Sequence, residues 1–497
     1  GSIADSSDYP TKSTDWELAR SRNFSFDPNI RKNSADYPID DSKSPISIAN
    51  FNGFGGSTIL YSAHFPRFHL SDFRVKTLDN IADDWPLSYS ELDPFFNENE
   101  KIMGVAGLVG DTAYPEYNSL LPPIPLGDMG KVMAKAFNKK NWHWWPSYAA
   151  INTDKRKSRA SCINIGPCNV GCSQGAKGSV DVTYWPLARL NGVEVYTESR
   201  VYEITLDSKG LADGVLYMDA DGVEHKCKAN IVIVACSGIG TPRLLLNSKS
   251  LAFPDGLLND NGLIGKNLML HPLAYVEGVF EQDLKSSLGP HGCCILSQEF
   301  YETRDDHDFV RGYTMQILRG APPIETAISG YFMRQLSIGK KHHKQFDNLF
   351  NHTAGIAIIA EDLPELHNQV QLDYDNKDLF GIPGVKVHYK LSDNTNKILK
   401  HGIKMSKEIF SEVDAKVTSS FAPVKNTGWH LMGTARMGTD PQASVVNKYG
   451  QAHQVKNLFI VDSSVFVTSG AANPVATAQA ITLFACNYIR DNIANII

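Results

Sequence analysis

A single histidine, His430, lies in the segment NTGWHLMGTARMGTD (residues 426–440), among small and apolar neighbours. Histidine is the side chain whose ordinary pKa lies nearest neutral pH, and a histidine held over a hydroxyl oxygen can take its proton as a general base. The small neighbours would leave room for a substrate. Two simpler interpretations stay open from these residues alone: a hydrogen-bonded histidine in the core, or a histidine in a surface loop.

A second polar residue, Asn473, precedes Pro474 in the segment SGAANPVATAQA. Proline is favoured at the first position of a helix, and asparagine is favoured just before it as an N-cap. The pair therefore predicts a helix that begins at Pro474. Capping alone would explain the asparagine, so these residues by themselves assign it no chemical role.

Three of the eight cysteines fall close together in CINIGPCNVGC, where Cys162, Cys168 and Cys172 are separated by five and then three residues. Glycine and proline between them allow the chain to wrap, and thiolates on such loops ligate iron–sulfur clusters. Three thiolates suit a 3Fe–4S cluster, whereas zinc is less favoured because no fourth Cys or His stands nearby. A disulfide with one free thiol, or three reduced thiols, are the simpler alternatives.

Glycine-rich turns could bring bare backbone close to a ligand. GFGGST places Gly55, Gly56, Ser57 and Thr58 in one turn, and CSGIGTPR (residues 236–243) is similar. Without a Cβ, glycine lets backbone N–H groups approach a bound group. A dinucleotide-binding fingerprint also needs a strand before the turn, a helix after it and an acidic residue about 20 positions on. No stretch of the sequence meets all these conditions.

The elements that must position these residues are predicted from periodicity and from turn and cap signals. Alternating apolar and polar residues predict strands within 191–236, and residues 229–248 predict a buried strand, a glycine turn and a helix opened by Thr241–Pro242. Segment 457–466 predicts a further buried strand, with Asp462 at its end. Strands that end in glycine turns, beside a separate β region, indicate a two-domain α/β and α+β enzyme.

Helices and loops follow from the same signals. A cap at Ser88 or Ser90 predicts a helix within residues 86–105, and residues 368–410 predict a hairpin followed by an amphipathic helix. The basic run KKHHKQ (340–345) is interpreted as a solvated loop.

The bulk composition excludes several classes of protein. A length of 497 residues suits two large domains, and a net charge of −6 gives no indication of a nucleic-acid partner. No run of about 18 apolar residues predicts a transmembrane helix. Eight cysteines in so long a chain do not predict a disulfide scaffold.

Several segments resemble one family. WHLMGTARMG and NLFIVDSSVFVTSGAANPVATAQA resemble the C-terminal signature of the glucose–methanol–choline (GMC) oxidoreductases. GFGGSTILYSAHFPRF resembles that family's flavin-flanking loop, and VIVACSGIGTPRLLLNS resembles its strand and turn near the FAD ribose. The resemblance covers roughly residues 50–490 and is closest in motif to bacterial sugar and gluconate dehydrogenases. It implies an α/β plus α+β fold, in which a Rossmann-like FAD-binding domain, incomplete at its N-terminus, is interleaved with a substrate domain on an antiparallel sheet.

The resemblance also implies a domain division. Residues 1–270 would form the FAD-binding part with interleaved substrate-domain segments, 271–364 a substrate-domain segment, and 365–490 the C-terminal region with the catalytic pair. The family's GxGxxG unit is absent, and the family order would put it immediately before Gly1. Together with the polar, turn-rich residues 1–50, this predicts a missing upstream segment.

Site roles follow from the resemblance too. His430 would take the substrate hydroxyl proton while a hydride moves to flavin N5, and Asn473 would hydrogen-bond the same oxygen. The helix after Asn473 would point its N-terminus at the flavin. Binding of FAD is expected to be non-covalent, because no histidine stands in Ser57–Tyr61, where some relatives attach the flavin. The residues expected to bind FAD are Gly55, Gly56, Ser57, Thr58, Val201, Ala235, Asp462 and Pro474.

The implied activity is that of an FAD-dependent dehydrogenase that oxidises the CH–OH group of a sugar, sugar acid or polyol. The cysteine spacing resembles that of FAD-dependent glucose and fructose dehydrogenases that carry a 3Fe–4S cluster. Such a cluster would send electrons to a partner, a cytochrome or a small subunit, rather than to O2. The alternatives are an O2-using oxidase of the same fold and a truncated, non-catalytic remnant. The expected location is a bacterial cytoplasm or periplasm. An incomplete N-terminus does not distinguish the two.

Overall fold

The computed structural model describes residues 36–154, 159–166, 168–169 and 171–497. Most of the polar, turn-rich opening segment (residues 1–50) lies outside these ranges. The nine α-helices of the described ranges are α1 (Val75–Asp79), α2 (Tyr89–Met103), α3 (Gly127–Lys140), α4 (Tyr184–Leu190), α5 (Ser237–Asn247), α6 (Pro323–Phe332), α7 (His342–Asp347), α8 (Asp393–Ser411) and α9 (Val475–Ile496).

The strands of the same ranges form four sheets. They are β1 (Ile39–Lys43), β2 (Trp145–Pro146), β3 (Arg200–Leu206), β4 (Ala212–Met218), β5 (Glu224–Lys228), β6 (Val232–Val234), β7 (Leu273–Val279), β8 (Ile295–Ser297), β9 (Tyr313–Leu318), β10 (Thr353–Ala360), β11 (Gln369–Lys377), β12 (Pro383–His388), β13 (Lys416–Phe421) and β14 (Leu458–Ile460).

An antiparallel six-stranded sheet, in the order β13-β7-β10-β9-β8-β2, carries one core. Every residue of β10 is buried because both faces of this strand are covered. On one face Ile356 and Ile358 share an apolar cluster with residues of α3 and α8, and on the other Ile359 packs with Leu273. Helix α8 lies so close to β10 that a Cβ on Gly402 would stand 2.7 Å from the Ile358 side chain. Two strands of this sheet, β2 and β13, come from outside residues 271–364. The sheet is therefore built from separate segments of the chain, as the predicted interleaving requires.

A second core surrounds the parallel pair β6 and β14, in which Val232 lies opposite Leu458. Both strands are short and apolar, as the sequence predicted. Parallel strands end at the same edge of their sheet, so Ala235 and Asp462 come out of the sheet side by side. Helix α5 begins at this edge.

The predicted start of α5 is wrong by four residues. The helix begins at Ser237, and Thr241–Pro242 lie inside it. A proline inside a helix has no N–H to give to the carbonyl four residues back, here that of Gly238. The Thr434 hydroxyl donates to that carbonyl at 2.8 Å and so replaces the missing hydrogen bond.

Other predictions of local structure can be compared directly. Ser88 caps α2 in a capping box with Glu91, and the β11–β12 hairpin followed by α8 is confirmed. The basic run does not form a loop, since α7 starts at His342, although no residue of α7 is buried. Helix α9 packs on α2 through Phe95 and Phe484. No helix in the described ranges is long and apolar enough to cross a membrane.

Candidate active site

His430 faces a second histidine, His271. Met269 and Met432 exchange backbone hydrogen bonds of 3.0 Å in an antiparallel bridge. Because the two segments are antiparallel, His271, two residues after Met269, lies opposite His430, two residues before Met432, on the same face. Their Nδ1 atoms lie 2.8 Å apart, and the two rings are almost perpendicular. The backbone pairing of two distant segments therefore builds the histidine pair.

The other side of His271 is fixed by backbone carbonyls. Its Nε2 lies 2.7 Å from the Gly470 oxygen and 3.2 Å from the Ser469 oxygen. These residues belong to the loop that leads to Asn473 and α9. His271 thus joins the His430 segment to the Asn473 segment, and it is only 2% exposed, whereas His430 keeps more of its surface accessible.

Both histidines are neutral at neutral pH. Burial lowers the pKa of His271 to about 4. Burial, with the neighbouring His271 and His64, holds the pKa of His430 well below 6.5. Burial likewise lowers the pKa of His64 to about 4, and its Nε2 contacts the Gly292 carbonyl. A neutral, partly accessible imidazole is the form in which a histidine can accept a proton.

Asn473 does not cap the helix. The N-cap of α9 is Pro474, one residue later than predicted, and no side chain caps that position. The Asn473 Oδ1 instead accepts a hydrogen bond from the amide of Gln316, which lies buried on β9. The six-stranded sheet therefore orients the Asn473 amide, and the capping interpretation is wrong.

The glycine turn ahead of Ser57 is confirmed as a turn without a strand before it. Gly55 and Gly56 both have positive φ, and a 3-10 helix (Gly56–Ile59) follows. The Thr58 hydroxyl donates to the Gly55 carbonyl at 2.6 Å and accepts from the Val180 N–H at 3.0 Å. Ser57 is exposed. The turn is thus fixed by hydrogen bonds through Thr58 and presents Ser57 to solvent.

Asp462 ties the ends of the parallel strands together. Its carboxylate accepts from the Ser464 N–H at 2.8 Å, from the Ser237 N–H at 3.1 Å and from the Thr241 hydroxyl at 2.5 Å. It therefore holds the first turn of α5, and burial raises its pKa despite these hydrogen bonds. Beside it Ala235 is exposed.

Val201 lies apart from these residues. It is 39% exposed on β3, next to the far end of α5, where Asn247 donates to the Tyr202 carbonyl at 2.8 Å. An 11-residue helix spans about 16 Å, so the structure places Val201 roughly a helix length from Ser237.

Comparison with known proteins decides the family. GMC oxidoreductase models match residues 129–273 and 364–482. The chain is 37% identical to 2-methyl-1,2-propanediol dehydrogenase of Mycolicibacterium austroafricanum, over 99% of this chain and 89% of that protein. This chain belongs to the GMC oxidoreductases.

More distant matches agree with that assignment. This GMC oxidoreductase is 27% identical to the fructose dehydrogenase large subunit of Gluconobacter japonicus, over 89% of this chain and 81% of that one. A variant of formate oxidase from Aspergillus oryzae RIB40, studied for FAD modification, has the same fold, with a TM-score of 0.63 at 13% identity, over 91% of this chain and 86% of that one. The predicted fold class is confirmed.

The described residues of this GMC oxidoreductase fit an FAD cofactor. Ligands of open α/β sheets bind beyond the carboxyl ends of the strands, and the exposed Ala235 marks that edge here. Gly238 in the first turn of α5 would place a Cβ 2.5 Å from the Leu431 carbonyl, so α5 lies directly against the segment that carries His430. Residues that would hold a flavin thus adjoin the residue that would act on its substrate.

The cysteine triplet of this GMC oxidoreductase does not form a metal site in the described residues. No three His, Cys, Asp or Glu side chains are grouped there to hold a metal ion. Cys162, Cys168 and Cys172 are free thiols, and the Cys162 Sγ accepts from the Asn164 N–H at 3.4 Å. The structure gives the predicted 3Fe–4S cluster no support.

Sequence reasoning missed three polar residues of the site: His64, His271 and Gln316. His271 follows the segment GKNLML. Apart from being a histidine, it has no feature in the sequence that indicates a chemical role. Gln316 lies on β9, and its role depends on where that strand meets Asn473. Only the paired backbone register and the sheet order identify these residues.

Proposed function

We propose that this protein is an FAD-dependent dehydrogenase that oxidises a primary or secondary alcohol in a small polyol. The main support is the neutral, partly accessible imidazole of His430, which His271 links to the loop that leads to Asn473. The name of the 37% identical relative, a dehydrogenase of a 1,2-diol, and that of the fructose dehydrogenase subunit supply the substrate class.

In the proposed reaction the chain handles the proton and the orientation of the substrate. The bound FAD supplies the acceptor for the hydride that leaves the carbinol carbon. His430 takes the hydroxyl proton, so that the C–O bond becomes a carbonyl as the hydride departs. Asn473, held by Gln316, donates its amide N–H to the same substrate oxygen and fixes it over the histidine.

The substrate proposal is tested with alcohols that differ at the carbinol carbon. Hydride transfer needs a C–H bond there, which 2-methyl-1,2-propanediol has at its primary alcohol and tert-butanol lacks. Under anaerobic conditions the diol is expected to bleach the flavin absorbance of the FAD-loaded protein, whereas tert-butanol leaves it unchanged. FAD-loaded protein that is bleached by no primary or secondary alcohol, whether diol or sugar, would contradict the proposal.

We further propose that the electrons leave to a partner rather than to O2. The support is the likeness to a protein named as the large subunit of a dehydrogenase. Substrate-reduced protein is expected to reoxidise faster with a soluble artificial acceptor, such as ferricyanide, than with air-saturated buffer. Stoichiometric and fast H2O2 formation would favour the oxidase alternative. We do not extend the proposal to an iron–sulfur cluster, because the described cysteines form no ligand set.

A further inference from the structure

The hydrogen bonds around His271 determine which of its nitrogens carries a hydrogen. Its Nε2 lies within hydrogen-bond distance of two backbone carbonyls, those of Ser469 and Gly470. A carbonyl oxygen can only accept, so the Nε2 must be the donor. A neutral imidazole has a single N–H, and therefore the Nδ1 of His271 is a bare acceptor.

The same reasoning determines which nitrogen of His430 carries a hydrogen. The two Nδ1 atoms are 2.8 Å apart, and one of them must donate. Because the His271 Nδ1 has no hydrogen, the hydrogen lies on the His430 Nδ1. The His430 Nε2 is then the nitrogen with the free lone pair.

We infer that His271 is a positioning residue, which holds His430 in the tautomer whose Nε2 is free to accept the substrate proton. Once protonated at Nε2, His430 still donates its Nδ1–H to His271, so the pair needs no rearrangement during the reaction. The Met269–Met432 bridge keeps the two side chains opposed. This inference rests on the proposed function of His430 as the base.

Two substitutions separate positioning of His430 from anchoring of the loop. In His271→Asn, the amide oxygen can take the place of the imidazole Nδ1 and accept from His430, while the donor to the carbonyls is lost. In His271→Gln, the amide N–H can reach the Ser469 and Gly470 carbonyls, while the acceptor for His430 is lost. We expect the asparagine variant to reduce its flavin within a few-fold of the parent, and the glutamine variant to be about 10- to 100-fold slower. Equal rates, or the reverse order, would overturn the inference.

A spectroscopic measurement tests the tautomer without any turnover. In protein labelled with 15N-histidine, the signals that disappear on substitution of His430 identify its ring nitrogens. The parent is expected to show the Nε2 in the unprotonated shift range and the Nδ1 in the protonated range. The opposite assignment would overturn the inference even if the glutamine variant did not fold. A His430→Ala variant of unchanged rate would instead refute the proposed base, and thus distinguishes the two failures.

Discussion

His430→Ala is expected to slow flavin reduction by substrate on the order of 10²–10⁴-fold, the usual contribution of a positioned general base. FAD content should stay near that of the parent, because the proposed role of His430 is to act on the substrate and not to hold the cofactor. The measurement is anaerobic stopped-flow absorbance of the reduction step. A variant within a few-fold of the parent would return His430 to the role of a structural histidine.

The pH dependence of the flavin-reduction rate tests the same role of His430. His430 accepts a proton only when it is neutral, so the reduction rate falls as the pH drops through its pKa. Burial, His271 and His64 hold that pKa well below 6.5, so the rate should be flat near neutrality and should decline only at more acidic pH. His430→Ala should erase this acidic limb. Asn473→Ala should keep the limb and lose less rate, since the asparagine orients the oxygen without taking the proton.

Local signals in the sequence were sufficient for the elements around the site. The apolar runs at 232–234 and 458–460 give β6 and β14, and the acidic residue after the second run is Asp462. A cap was predicted at Ser88 or Ser90, and Ser88 caps α2. Each of these features is decided within a few residues, so periodicity and caps predict it.

Two of the errors occurred where a distant contact overrides a local preference. Asn473 followed by proline has the pattern of a cap, but Gln316 takes its side-chain oxygen. Thr241–Pro242 has the pattern of a helix start, but the Thr434 hydroxyl satisfies the carbonyl that Pro242 leaves open. His271 could not be found for the same reason, since its meaning comes from pairing with a segment about 160 residues away.

A buried ion cluster also supports the loop that leads to Asn473. Arg311 is 1% exposed and pairs with Asp72 at 2.5 Å and with Glu361 at 3.0 Å. Asp72 also accepts from the Tyr301 hydroxyl, whose oxygen accepts the Ala471 N–H at 3.1 Å. The Arg311 guanidinium therefore holds the buried carboxyl groups of Asp72 and Glu361. Through Asp72 and Tyr301 it also holds the loop that leads to Asn473.

Arg311→Met is expected to lower the free energy of unfolding by about 3–5 kcal/mol, the usual result when one partner of a buried ion pair is removed. Methionine keeps an unbranched, apolar stem that is shorter than arginine, and it leaves Asp72 and Glu361 buried without the guanidinium. Burial raises the pKa of Glu361 above its usual range even beside Arg311, whose positive charge lowers it, so removal of the guanidinium would raise it further. Without the guanidinium both carboxyl groups would have to bind protons or draw in water. The loss is large beside the roughly 5–15 kcal/mol that stabilise a typical protein.

Arg490→Met is the control for this substitution. Its side chain is 72% exposed and pairs with Asp491 on the surface of α9, where an ion pair contributes at most about 1 kcal/mol. Urea unfolding, followed by tryptophan fluorescence, should therefore show a large midpoint shift for Arg311→Met and almost none for Arg490→Met. Arg311→Lys keeps the charge and provides a folded reference if the methionine variant aggregates. Equal midpoints for the two methionine variants would mean that the carboxylates are held by hydrogen bonds and solvent rather than by Arg311.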